Sequence, residues 1–255
     1  MWNSLNTGEY EGMIAETVLV QGHGGEDIRA YHARPMGPGP FPGLVLIPHM
    51  PGWDEWCRET ARRFAQHGYS VLCPNIYEDF GNGTPPEVAM RAREQGGASD
   101  PDVMEDVAGS LRFLKNQPTS NQKTGVIGMC SGGRHTFLAA CTLDGIDAAC
   151  DCWGGGVFMS EEMLNEKRPH SPHEFAADLS CPLSGIFGND DLHPSADEVK
   201  RLEALLKENG KDYTFYRYDG AGHGIWYYDK PMYRQEAAMD SFNKVLAFFD
   251  EHLKT

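Results

Sequence analysis

The 255-residue sequence contains no apolar stretch approaching the roughly 18 residues a bilayer-spanning helix needs, so no membrane partner is expected. It also contains no run of lysine or arginine. With 22 basic residues against 37 acidic ones the formal charge is −15, which leaves no surface suited to neutralising phosphates and excludes nucleic acid as an expected partner. The seven cysteines show none of the paired spacing of a zinc site, and an odd, scattered set does not read as a disulfide framework. The opening stretch MWNSLNTGEYEG lacks the basic and then apolar segments of a secretory leader. Together the last two absences predict a reducing, cytoplasmic setting. No internal repeat and no linker-like break is visible, so residues 1–255 read as one domain with its core over roughly 15–252.

What the sequence does have is a 40% apolar fraction, enough to bury a sizeable core. The segments ETVLVQ and IRAYHAR, joined by GHGGED, predict an antiparallel lead-in of two strands. Then short apolar runs (GLVLIPH, SVLCPNIY, KTGVIGM, AACDCWGGG, LSGIFG) alternate with segments of helical spacing. The helices are WDEWCRETARRFAQ, stopped near Gly68, then MEDVAGSLRFLKNQ, RHTFLAACTL, SADEVKRLEALLKENG and a last one from near Tyr233 to Leu253. YTFYRY supplies one more strand. Strands alternating with helices in right-handed crossovers predict an α/β fold with a mostly parallel central sheet covered by helices on both faces. The polar segment 78–101 has the composition of a loop over a site.

Within this pattern, Gly128-Met129-Cys130-Ser131-Gly132 fits the nucleophile-elbow spacing G-x-S-x-G with cysteine in the serine position. A strand precedes it and a helix follows. The turn between them must be tight, so residues two positions away on either side must lack bulky side chains. The same turn aims a thiol at the N-terminus of a helix, whose N–H groups favour a thiolate. Downstream, GIFGNDD puts acids at a strand's end, and DGAGHGIW puts His223 in a glycine-flanked loop after the last strand. Nucleophile, acid and histidine thus occur in the order that this fold uses.

GMCSGGR, GIFGNDD and AGHG, with LVLIPHMPGWDEWCRETARRFAQHGYSVLCPNIY, resemble the dienelactone hydrolase family within the α/β-hydrolase fold, over roughly residues 15 to 252. The resemblance implies a Cys-His-Asp triad that opens lactones or cleaves other activated esters; a small-molecule substrate, no cofactor or metal, and a monomer or homodimer are expected. It implies Cys130 as nucleophile and His223 as base and then acid. The triad acid is Asp191, favoured by its spacing from Gly188, or Asp190, favoured by the spacing to Pro194. The oxyanion would rest between the N–H groups of Ser131 and Met50.

Two departures stand out. His49 occupies the place of a family glutamate that contacts the resting thiol. Of the two arginines that hold a substrate carboxylate in the family, Arg91 or Arg93 could supply the first, whereas Ile225-Trp226-Tyr227-Tyr228 stands where the second would be. Trp226 and Tyr227, with the segment 78–101, are therefore expected to wall a pocket for a neutral or bulkier lactone or aryl ester. A different function also fits the fold: a non-catalytic small-molecule binder.

Other candidates have plainer readings. Cys150 and Cys152 pack in a strand, too close in sequence for an ordinary disulfide. His170 and His173 read as loop residues, and Arg134 as structural. Trp53 and Trp56 either line a pocket mouth or staple their helix to the core.

Overall fold

The computed structural model describes residues 12–231 and 233–255, so the N-terminal stretch read for a leader lies outside the described residues. The antiparallel lead-in forms as β1 (Met13–Gln21) and β2 (Asp27–Pro35), closed by a turn in which Gly24 and Gly25 take positive φ. β3 (Phe41–Ile47) is buried along its whole length. Its alternate residues feed two cores: Leu44 and Leu46 point to one face of the sheet, Val45 and Ile47 to the other. That is why it reads as a continuous apolar run without polar alternation.

After β3 come α1 (Glu55–Gln66), β4 (Ser70–Pro74), α2 (Pro85–Glu94) and α3 (Asp100–Lys115). Asp54 caps α1 by accepting the Cys57 N–H at 2.9 Å, and Gly68 at φ +92 follows its end. α3 starts earlier than its apolar spacing predicts, because Ser99 caps it and Pro101 sits in its first turn. The chain then runs β5 (Ser120–Met129), α4 (Ser131–Thr142), β6 (Ala148–Cys152), β7 (Leu183–Gly188), α5 (Ala196–Glu208), β8 (Tyr213–Tyr218) and α6 (Gln235–Leu253).

The eight strands form one mixed sheet in the order β1-β2-β4-β3-β5-β6-β7-β8, parallel from β4 to β8 and antiparallel at the β1-β2-β4 edge. This is the α/β-hydrolase architecture. α1 and α6 cover one face, where Phe64, Tyr69, Phe242 and Phe249 interlock with ring centroids 5.3–6.4 Å apart. Truncating such a ring to alanine costs about 3–5 kcal/mol in a packed core. α3, α4 and α5 cover the other face. The parallel strands therefore all end at one edge of the sheet, and the loops leaving β3, β5, β6, β7 and β8 meet there. No helix among the described residues is long and apolar enough to cross a membrane.

Candidate active site

Cys130 is the single residue between β5 and α4, held at φ 57 and ψ −120, a conformation that L side chains rarely adopt. Two backbone hydrogen bonds hold it there. Its N–H donates to Cys152 O at 3.0 Å, and its carbonyl accepts the Arg134 N–H at 3.2 Å. The flanking glycines are required by space. A Cβ on Gly128 would lie 2.2 Å from Gly132 O, and one on Gly132 would lie 2.3 Å from Ile47 O. The second contact presses the start of α4 against the end of β3, which brings Ser131 to the loop that carries His49 and Met50. Among the described residues, no hydrogen bond occupies the backbone N–H of Ser131 or Met50. Both remain free to receive an oxyanion.

His223, in the loop after β8, shares a hydrogen bond between its Nδ1 and Asp191 Oδ2 at 2.8 Å. Asp191 is buried in the turn after β7, where its other oxygen accepts the His193 N–H at 2.9 Å. Asp190 beside it is exposed. Burial opposes a charge on His223, but its hydrogen bonds to Asp191 and Cys130 and the negative charge of both outweigh that, raising its pKa to about 10. Near neutrality the imidazolium is thus stabilised opposite the sulfur.

The thiol opens into a cavity of about 710 Å³, bordered by Ser131 and His223 on one side and by Arg134, Met159 and Arg168 on the other. Arg134 is committed to structure: its guanidinium grips Asp100 with two bonds of 2.6 and 2.7 Å, and His135 Nε2 lies 3.0 Å from the same carboxylate. Arg168 differs. It comes from the irregular segment after β6, its guanidinium rests beside the Gly97 backbone, and no carboxylate pairs with it among the described residues.

On the other side of Cys130 lies a buried polar cluster. His49 Nε2 is 3.0 Å from Asp54 Oδ2, and its Nδ1 is hydrogen-bonded to the Tyr227 hydroxyl. Burial opposes a charge on His49; the adjacent Cys57 sulfur and the Asp54 carboxylate outweigh it and raise the pKa. Because burial also pushes the Cys57 thiol well up, near neutrality Asp54 is the anion that counts. The ligand atoms of His49, Asp54 and Cys57 lie within 4.8 Å of one another, a set able to hold a soft divalent cation. Asp54 already serves both the helix cap and His49.

Several sequence-predicted site residues lie elsewhere. Arg91 donates to the carbonyls of Phe80, Gly81 and Asn82 at 2.6 to 3.3 Å, pinning the loop before α2, and neither it nor Arg93 borders the cavity at Cys130. Trp226 has no exposed surface and donates to Ser241 Oγ at 2.8 Å, so it is a core residue under α6. Its place follows from the tight loop at Gly224, which turns the next side chains inward. Tyr227 reaches His49 instead of the cavity, and Tyr228 points outward to Glu59. The segment 78–101 folds as α2 and its flanks, bordering a separate cavity with Trp53 rather than the one at the thiol. Trp56 packs edge-on against Tyr227, with centroids 4.8 Å apart. Sequence reading missed Arg168, Asp54 and Asp100; of these only Asp54, five residues from His49, carried a local signal, as a helix cap.

Comparison with known proteins bears on the family of the chain. The sequence profile described as "Dienelactone hydrolase family" matches residues 28–253. A protein of Methylorubrum extorquens named "Putative carboxymethylenebutenolidase" is 29% identical over 244 residues, covering 94% of this chain and 82% of its own length. A Bradyrhizobium protein named "Probable 2-oxo-3-(5-oxofuran-2-ylidene)propanoate lactonase" is 25% identical over 251 residues, covering 94% of this chain and 98% of its own. The crystal structure of a "Putative Dienelactone Hydrolase" from Klebsiella pneumoniae superposes with a TM-score of 0.86 at 26% identity, over 94% of this chain and 100% of that one.

Proposed function

Because this chain belongs to the dienelactone hydrolase family and is a hydrolase of that kind, we propose that it opens lactones and small activated esters through an acyl-cysteine. The observation that carries this reading is the His223-Asp191 hydrogen bond of 2.8 Å, made beside a thiol held at an elbow. In the first half-reaction the Cys130 thiolate attacks the carbonyl carbon, and the oxygen's developing charge is met by the N–H groups of Ser131 and Met50. Collapse breaks the ester C–O bond, and His223 gives its proton to the leaving oxygen. In a lactone that oxygen stays tethered to the acyl chain. Water then attacks the thioester while His223 takes its proton, and the second collapse releases the acid and the thiolate. Asp191 keeps the imidazole oriented throughout and stabilises its charged form.

The cavity also supports a substrate class. A guanidinium without a carboxylate partner, on the wall of the cavity that holds the thiol, is suited to an acidic group on the substrate. The name of the Bradyrhizobium relative denotes a lactone that carries a propanoate. Arg168 thus takes the role that the sequence sought in Arg91 or Arg93, and it replaces the expected preference for neutral lactones with one for acidic lactones.

Rapid acid quenching of the protein with a panel of lactones, followed by intact mass, tests the chemistry. A single acyl adduct should form on wild type and be absent from Cys130→Ala, whose turnover should fall by about 10³-fold or more. Wild-type turnover in Cys130→Ala would overturn the nucleophile, and binding without any adduct or product would leave the non-catalytic binder as the better reading.

A further inference from the structure

The cavity beside Trp53 lies away from the thiol, bounded by the starts of α1, α2 and β2 and by the residues that follow β4. Its volume is about 330 Å³, at the small end of the range of about 300–1,000 Å³ usual for ligand cavities. It shares no lining residue with the cavity at Cys130. Tyr77 stands between the two: its ring lies against Gly52, where a Cβ would be 2.1 Å away, and its hydroxyl is 3.5 Å from Ser131 Oγ. Trp53, Pro51, Pro85 and Val88 give this cavity apolar walls. The Trp53 ring is fixed by its Nε1, which donates to Cys73 O at 2.9 Å. Two guanidiniums complete the lining, with Arg58 at 4.4 Å and Arg29 at 5.7 Å from the centre of that ring.

The charged groups around the cavity are matched, with one exception. Arg29 Nε donates to Glu78 Oε1 at 2.7 Å, Glu55 pairs with Arg62, and Asp54 is divided between the Cys57 N–H and His49. Among the described residues no carboxylate pairs with Arg58 and no acceptor takes a hydrogen bond from its guanidinium, whose Nε is shut off from water without a partner. A shielded donor left unmet is costly, and a guanidinium presents parallel donors that match a carboxylate. We propose that this cavity is a second binding site, for the carboxylate of a small organic acid whose compact apolar body rests against Trp53 and Val88. Asp54 and Glu55 on the same rim disfavour a more highly charged ligand such as a phosphate. The site is independent of the chemistry at Cys130 and stands whether or not that cysteine is the nucleophile.

The test is a titration of the full chain with 4-fluorobenzoate, read by the fluorine NMR linewidth at fixed ionic strength. Arg168→Gln serves as the background, so that the cavity at Cys130 offers no unpaired guanidinium. Saturable binding is expected in that background. Adding Arg58→Gln should weaken it about tenfold, the size of a lost charge-assisted hydrogen-bonding partner. Val88→Trp, which fills the cavity from α2 and leaves the cation in place, should weaken it by a similar factor. The uncharged 4-fluorobenzamide should bind about tenfold more weakly than the acid and be indifferent to Arg58→Gln. A merely structural Arg58, stacked on Trp53, would lower the melting temperature on substitution without changing the affinity of the folded chain. Absence of saturable binding in the Arg168→Gln background would overturn the proposal. So would an affinity that neither Arg58→Gln nor Val88→Trp alters.

Discussion

Two histidine-aspartate pairs flank Cys130, and their difference lies in the second ring nitrogen. His223 spends Nδ1 on Asp191, and a third of its side chain is exposed to the cavity, so Nε2 can give and take protons. His49 spends Nε2 on Asp54 and Nδ1 on Tyr227, and 7% of its side chain is exposed. Both imidazoles lie beside a carboxylate, but only the first keeps a ring nitrogen without a hydrogen-bonded side-chain partner in the turn it occupies. An imidazole beside a carboxylate is therefore not by itself a catalytic base. What faces the cavity can change the course of the reaction, and what lies behind the thiol can change only the thiol and the stability of the fold.

The sharpest test of this contrast is to remove each ring. His223→Ala should lower kcat/KM by about 10³-fold, the usual size of a lost general acid-base group, and His49→Ala by about tenfold. Steady-state kinetics on one lactone decides it; equal losses would erase the distinction between the two sides. A smaller effect is expected at the cavity wall. Arg168→Ala should raise KM about tenfold for a carboxylated lactone and leave the methyl ester of the same compound nearly unchanged, as expected for loss of a charged hydrogen-bonding partner. Equal losses on both substrates would move Arg168 from recognition to structure.

The smallest effect on turnover, and a readable one on stability, comes from a third acid on the buried side. Asp151 in β6 has no histidine; one oxygen accepts the Gly154 N–H at 2.8 Å and the other has no partner among the described residues. Burial pushes its pKa to about 8, against 3.8 for an ordinary aspartate. Between those values the native state keeps a proton that the unfolded chain releases, so the contribution to stability falls as pH rises through that window. Asp151→Asn retains the acceptor for Gly154 without the titration. Its melting temperature should therefore gain on wild type from about pH 4 to about pH 8 and run parallel above. A constant difference across that range would show that the carboxyl is charged throughout.

The buried and the cavity-facing sides were not equally legible in the sequence. The elbow was, because its constraint is local: Gly128 and Gly132 must clear each other and the end of β3 within a few residues. The alternation of strands and helices was legible for the same reason, since each period repeats over a short window. Asp191 and Asp190 could not be separated by spacing alone, and it is the turn after β7 that buries one and exposes the other. Arg168 was invisible because the segment after β6 has no period, and its position depends on packing against the distant Gly97 loop. Arg91 shows the reverse failure. It occupies a suggestive place in sequence, but the carbonyls of the loop before α2 claim its donors.

The burial of six sulfurs and the partial exposure of the seventh gives this chain a simple response to oxidants. Peroxide meets one accessible thiol, at the start of α4, and the first product of its oxidation is a sulfenic acid. The other six thiols are all buried, the close pair Cys150 and Cys152, 3.7 Å apart, inside the sheet, so none is placed at the surface to resolve it. On the proposed function, recovery depends on a small thiol arriving through the cavity at Cys130, so that oxidation and repair would compete with turnover for one doorway.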